Sequence, residues 1–463
     1  MPDALLVGAN LAALVAAGEL AAAGQRVTLL TDGRPPGGHF AGLVVDGVAF
    51  DTGMVTLERP ASGAQPVPAL SGYDPDRRYD WTRYAAAVDR WQAGRVELRR
   101  TPTPQVLVAG RRHPDHLMTD RLDVLAGAEP PAPLLDRADP RHAADKTTGK
   151  AYDELPYREA ARANHGPDVQ ARLVDPFLDS VLGSAAEHLL ARHHRSAWLP
   201  LYWPATVAAA TDHRPTPVPE HAFWTTDSGL VAQVVTGLHA ELAAHPLVTL
   251  DHGPVRSVRR EGDALRVHTD GAVHDHPAPA VGLPRDRARE LLGLPPVPVG
   301  SAAPVAVLCC LVRADAVRDP AGCLLVVDPA VVAYRVTDQD AQAGRDRAWR
   351  RVTVEAGAAG QRLADSGGDL ARRLVEDLVG LLGLPHADPG AGGTGHPDVR
   401  VLRLLRAPRA LAVPTAASVA ADRRSRDELL GAGAVPTGGL LGTGLNSLAD
   451  QVVQGLALAE RFG

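Results

Sequence analysis

Four positions near the start of the chain have the types and spacing to hold a charged ligand: Gly8, Asn10, Ala13 and Asp32. Their order approximates the Gly-x-Gly-x-x-Gly/Ala fingerprint of a dinucleotide-binding turn, with an acid about twenty residues on. The chemistry would be capture of a pyrophosphate by main-chain N–H groups and of a ribose by a carboxylate. Gly8 would let the chain turn sharply, and the amides of Leu11 and Ala12 would face the phosphates. Ala13 is small enough for close helix–strand packing. Asn10 stands where the fingerprint has its second Gly. Asn tolerates left-handed backbone angles better than most residues, yet its side chain crowds a phosphate. An altered site, and an ordinary α/β turn with no ligand, both stay open on these residues alone.

The elements that would position them can be read from the apolar pattern. Ala4-Leu5-Leu6-Val7 is a short apolar run of buried-strand type, ending at Gly8. An Ala/Leu-rich helical stretch runs to Gly24. Arg26-Val27-Thr28-Leu29-Leu30 is the second strand, and Asp32 follows it. Strand, turn, helix, strand and acid make one βαβ unit.

The next run is Asp32-Gly33-Arg34-Pro35-Pro36-Gly37-Gly38-His39-Phe40. It continues to Val45-Asp46-Gly47-Val48-Ala49-Phe50-Asp51-Thr52-Gly53. By itself this is a Gly/Pro-rich loop and a hairpin turning at Asp46-Gly47. With the βαβ unit before it, the sequence resembles the two-dinucleotide-binding-domain flavoproteins: flavin amine oxidases, protoporphyrinogen oxidases, phytoene desaturases and UDP-galactopyranose mutases. The resemblance implies FAD as cofactor. It implies contacts from Gly33, Arg34, Gly37, Gly38 and His39 to the pyrophosphate and ribityl chain, and from Asp32 to the ribose. It also implies that Val255, in Pro254-Val255-Arg256-Ser257-Val258, touches adenine through its backbone.

A second glycine-rich turn opens the last helical stretch, Gly438-Gly439-Leu440-Leu441-Gly442-Thr443-Gly444-Leu445-Asn446-Ser447-Leu448-Ala449-Asp450. A helix N-terminus there would carry positive dipole and free amides. The resemblance places Gly442, Ser447, Leu448 and Ala449 against the flavin N1–C2=O edge. Read alone, the stretch is a loop capping a terminal helix. The positions where mutases carry basic and aromatic substrate grips read Leu440, Gly444, Leu445 and Asn446. The Gly-Asp usual before this turn in amine oxidases is also missing.

Composition narrows the partners. The chain has 463 residues, a net charge of −6 and 22% charged residues, which argues against nucleic acid as main partner. No stretch reaches the ~20 apolar residues that span a bilayer. A cytoplasmic protein acting on a small molecule is the expectation. The three cysteines, Cys309, Cys310 and Cys323, have no metal or disulfide spacing, and the first two lie in a strand-like run. His188, His193 and His194, and the pair His113 and His116, lack the i, i+4 spacing of helical metal ligands. No metal is expected. The only lysines are Lys146 and Lys150, so a lysine-dependent mechanism has two candidates, both in a loop-like stretch.

The expected fold is α/β: a Rossmann-like FAD-binding domain with a helical insertion and a mixed β-sheet substrate domain. The segments are 1–110, 216–290 and 400–463 for the cofactor domain, 111–215 for the helical insertion and 291–399 for the mixed sheet. Val331 to Val336 and Arg351 to Glu355 read as neighbouring strands. The resemblance puts Arg335, with Tyr334 beside it, on the substrate side of the flavin, although an exposed Arg on an edge strand fits the residues equally. No catalytic base is identified; His39 and Tyr334 are candidates by type only. The expected activity is an FAD-dependent oxidoreductase taking a hydride from a small metabolite at flavin N5. The alternatives are a redox-neutral nucleotide-sugar mutase and a non-catalytic binding protein with a degenerate site.

Overall fold

The Leu11–Ala22 helix is apolar on nearly every side, and nine of its residues are buried. A helix with no polar face must be enclosed, and the fold is built around it. In the computed structural model it lies between the Ala232–Ala244 helix and the C-terminal Leu448–Phe462 helix, over a five-stranded sheet. The structure describes residues 3–53, 56–59, 67–76, 83–113, 155–191, 222–298, 300–386, 396–441 and 447–463. Small residues permit the closest crossing. A Cβ at Gly455 would lie 2.5 Å from the Ala12 carbonyl oxygen.

The five strands are parallel and lie in the order Val248–Asp251, Val27–Leu30, Ala4–Val7, Ala280–Val281, Val435–Pro436. By chain order this is 3-2-1-4-5, the arrangement of a doubly wound nucleotide-binding sheet. The strands come from segments far apart in the chain, so the domain is discontinuous. A three-stranded antiparallel meander, Val255–Glu261, Ala264–Thr269 and Val273–His276, covers its other face through Val258, Leu265 and Val267.

A seven-stranded sheet forms the second layer: Val399–Ala412, Ala302–Arg313, Trp349–Ala356, Arg335–Asp338, Cys323–Val326, Gln105–Val108 and Arg111–His113. It is mixed, because Cys323–Val326 runs parallel to Gln105–Val108 while its other neighbours are antiparallel. The sheet reaches past both boundaries expected for it, 291 and 399. Gln105–Val108 leaves the first segment to join it, and Val399–Ala412 pairs along Ala302–Arg313. Strand pairing is a long-range choice, and an apolar run such as Val106-Leu107-Val108 carries no mark of which sheet will take it. The Leu370–Leu381 helix packs on one face of this sheet. The helical stretch from Tyr157 to His188 packs on the other through Phe177, Leu178 and Val181.

Cys309, Cys310 and Cys323 are buried and unpaired. Burial raises the Cys309 thiol to about 11 and the Cys323 thiol to about 12. They are core residues. His188 is exposed and His113 buried. His116, His193, His194, Lys146 and Lys150 lie outside the described residues. Among the described residues no group of three or more His, Cys, Asp or Glu could hold a metal, and no helix is long and apolar enough to cross a membrane.

Candidate functional site

Ligands of doubly wound sheets bind outside the carboxyl ends of the strands, and that is where the N-terminal motif residues lie. Gly8 takes φ +97°, and its N–H donates to the Leu30 carbonyl. A Cβ there would stand 2.8 Å from the Gly282 carbonyl carbon. The first glycine is therefore obligatory, for both backbone angle and space.

Asn10 does not use its tolerance for left-handed angles. It is extended, at φ −69° and ψ 167°, and caps the Leu11–Ala22 helix by accepting from the Ala13 N–H at 2.9 Å. Its Nδ2 crosses to the ends of two other strands, donating to the Gly282 carbonyl at 3.0 Å and the Thr437 carbonyl at 3.4 Å. The Leu14 N–H goes to the Asn10 carbonyl. The first-turn amides not spent on Asn10 are those of Leu11 and Ala12.

Asp32 follows the second strand with φ +54° and is buried. Its Oδ1 accepts from the Val255 N–H at 2.7 Å and from Arg287 Nη2 at 3.4 Å, and its Oδ2 accepts from Arg287 Nε at 3.3 Å. Arg34 Nε lies 3.7 Å from the same carboxylate. Arg287 Nη2 also donates to the Val255 carbonyl. Arg287 carries no mark in the sequence. It stands 255 residues from Asp32 in an ordinary polar helix start.

Gly37 and Gly38 have φ +92° and +61°. Gly37 is packed on Val235, which a Cβ would strike at 2.3 Å, and its N–H donates to the Ala9 carbonyl. Gly33, at φ +67°, and Gly38 face open space, with nothing within 4 Å of a Cβ. Arg34 and His39 are exposed beside them. The open side of these glycines leaves their backbone free for a ligand to approach.

The C-terminal helix meets the same sheet edge. Ser447 Oγ accepts from the Asp450 N–H, and Asp450 Oδ2 accepts from the Ser447 N–H, a reciprocal cap. The Tyr73 hydroxyl donates to the other Asp450 oxygen. Leu448 and Ala449 are buried in this first turn. The helix presents its amide end, with an acid of its own in the first turn that offsets the dipole. Gln454 Oε1 accepts from the Gly438 N–H, tying the helix to the turn before it. Gly442 lies outside the described residues.

Tyr334 and Arg335 are brought together on a residue that sequence reasoning passed over. Glu355 lies opposite Arg335 in the sheet. Its Oε1 accepts from Arg335 Nε at 2.9 Å; its Oε2 accepts from Arg335 Nη2 at 2.6 Å and from the Tyr334 hydroxyl at 2.7 Å. All three are buried. Burial works against the Arg335 charge, and the adjacent Glu355 carboxylate outweighs it and keeps the guanidinium protonated. Burial, then the Glu355 charge, push the Tyr334 phenol well above its ordinary value. Arg335 is thus not an exposed edge residue. It abuts Gly53, where a Cβ would lie 2.8 Å from Nη2. The signal for Glu355 was the alternation Arg351-Val352-Thr353-Val354-Glu355, a polar row on one face of a buried strand.

That polar face is the seam between the second sheet and the segments around Asp51 and Ser228. Arg351 pairs with Asp340 and donates to the Ser228 carbonyl at 2.6 Å. Gln339 Nε2 donates to the Asp51 carbonyl, and the Asp51 carboxylate accepts the Val231 and Ala232 amides. Burial, opposed by those two amides, raises Asp51 to about 6.

The fold is shared with solved structures over nearly the whole chain, and a family model matches its N-terminal part. Residues 6–67 match the model of an NAD(P)-binding Rossmann-like domain. Over its whole length the chain is similar to a putative protoporphyrinogen oxidase from Exiguobacterium sp. 255-15, with 16% identity, 99% of this chain and 98% of that one covered, and a TM-score of 0.63. Reduced UDP-galactopyranose mutase matches with 14% identity, 100% and 94% coverage and a TM-score of 0.65. An engineered putrescine oxidase matches with 14% identity, 99% and 98% coverage and a TM-score of 0.59. No curated protein matches.

Proposed function

We propose that the chain is an FAD-dependent oxidoreductase acting on a small metabolite. The observation that carries the reading is convergence. The βαβ turn, the open glycines Gly33 and Gly38, and the capped N-terminus of the Leu448–Phe462 helix meet at one edge of one parallel sheet. The residues fit a dinucleotide in their backbone and depart from it in two side chains, Asn10 and Arg287.

In this reading Leu11 and Ala12 offer amides to the pyrophosphate, and Asp32 faces the ribose. Val255 faces the adenine through its backbone. Gly33, Arg34, Gly37, Gly38 and His39 line the path between, and Ser447, Leu448 and Ala449 close the far end. The chemistry FAD supplies when bound is acceptance of a hydride. The chain's own residues bind, orient and exclude water. Tyr334 and Arg335, locked on Glu355, form a rigid wall behind Gly53 on the substrate side. Segments 1–110, 216–290 and 400–463 carry the cofactor, less the strands they lend to the second sheet. The basic and aromatic grips absent around Leu440–Asn446 weigh against the mutase alternative.

The test is the absorption spectrum of the purified protein, with and without added FAD, before and after heat release. Flavin bands that leave with released FAD support the reading, and substrates are then sought by anaerobic bleaching. Failure to take up added FAD overturns it.

A further inference from the structure

We propose that Asn10 and Arg287 form a latch that closes the pyrophosphate and ribose ends of the dinucleotide site on the chain itself, so that FAD must displace both to bind. This rests on the flavin reading above.

The Asn10 carboxamide is built into its place. It occupies a notch between Gly282 and Gly438, where a Cβ on either would come within 2.2 and 2.4 Å of Nδ2. Its oxygen takes the Ala13 amide, one of the donors a phosphate at this helix would use. Its nitrogen holds two strand ends. The surroundings are left with donors to spare. Thr437 Oγ1 and Gln454 Nε2 have no partner, although Thr437 is 3% and Gln454 4% exposed. Both atoms can donate to a phosphate oxygen. Thr31, 1% exposed at the end of the second strand beside Asp32, also has an unpartnered hydroxyl. Unsatisfied buried polar atoms are costly; Thr437 and Gln454 flank the turn that Asn10 holds, and Thr31 precedes Asp32.

Arg287 does the same at the other end. A carboxylate offers about four acceptor positions. Three on Asp32 are taken, by the Val255 amide and two Arg287 nitrogens. Arg287 also takes the Val255 carbonyl. The acid meant for the ribose and the backbone meant for adenine thus satisfy each other through one guanidinium. Contacts made only in the closed form subtract from affinity for anything that requires the open form. Two neutral hydrogen bonds at Asn10, or a part-buried ion pair at Arg287, each correspond to about tenfold in Kd.

The test uses the full chain as wild type, Asn10→Ser, Arg287→Met and the double variant, titrated with FAD by quenching of flavin fluorescence. Serine caps a helix as well as asparagine but is too short to bridge Gly282 and Thr437. Methionine keeps the apolar stem. Melting curves establish that each variant is folded, and Arg287→Lys, which keeps the charge without the fork, replaces Arg287→Met if that one is not. The expected result is weak binding by wild type, about tenfold tighter binding by each single variant, and about a hundredfold by the double variant. Equal Kd values in all four proteins, or wild-type FAD that survives dialysis, overturn the latch and leave the flavin reading standing. No uptake by any protein, the double variant included, overturns both.

Discussion

Glu355→Gln removes one charge from a buried site. Arg335, Tyr334 and Glu355 are 7%, 4% and 2% exposed. The substitution turns one carboxylate oxygen into an amide that must face either the guanidinium or the phenol, both donors. Arg335 cannot move away, because its Nη2 is already against the backbone of Gly53. Breaking a buried ion pair from one side costs about 3–5 kcal/mol. Loss of the Tyr334 hydrogen bond alone, in Tyr334→Phe, should cost about 1 kcal/mol. Replacing both charges, as in Arg335→Met with Glu355→Leu, should return stability to within about 1–2 kcal/mol of wild type, since no stranded charge remains. The assay is denaturant unfolding followed by intrinsic fluorescence, for which Trp349 on the same strand is a reporter. The cycle built from Arg335→Met, Glu355→Leu and their combination should then show a coupling energy of at least about 4 kcal/mol. A Glu355→Gln cost below about 1 kcal/mol, or single-variant costs that simply add, would refute the reasoning that this network locks the seam.

Gly455→Ala gains about 1 kcal/mol of helix propensity, yet its methyl meets the Ala12 carbonyl oxygen at 2.5 Å. A net loss of stability of about 1–3 kcal/mol is expected in thermal unfolding; a stabilised variant would contradict the packing. Asp51 has a folded pKa of about 6 against 3.8, so the folded state holds its proton more tightly than the unfolded state. Its contribution to stability is therefore greatest below about pH 4, falls as pH rises to about 6, and is about 3 kcal/mol lower at pH 7. Asp51→Asn should flatten that part of the stability–pH curve, read as the difference in unfolding free energy between pH 4 and 7; an unchanged slope would exclude Asp51 as its source. The thiols of Cys309, Cys310 and Cys323, buried and raised in pKa, should resist a thiol reagent at pH 8 until denaturant is added. Rapid labelling of the native chain would contradict their burial.

The sequence by itself determined what depends on neighbours in the chain. The βαβ unit is written in the break at Gly8, the apolar helix and the second strand, because sterics and hydrophobic period act over a few residues. The glycine-rich turn before Ser447 is legible for the same reason, as is the inert setting of the cysteines. Tertiary structure decided what depends on residues brought together from afar. That Gln105–Val108 and Val399–Ala412 join the second sheet was settled by pairing partners far along the chain, from 87 positions away at Val312↔Val399 to 219 at Leu324↔Gln105. Glu355 became the anchor of Tyr334 and Arg335 only because strand register places it opposite. Asn10 reads in sequence as a loosened glycine position; in space it caps a helix and bridges two strand ends. Arg287 is invisible until folding sets it against Asp32. A charge has no period and its partner no fixed spacing, so ion pairs across the fold leave no trace in the order of residues.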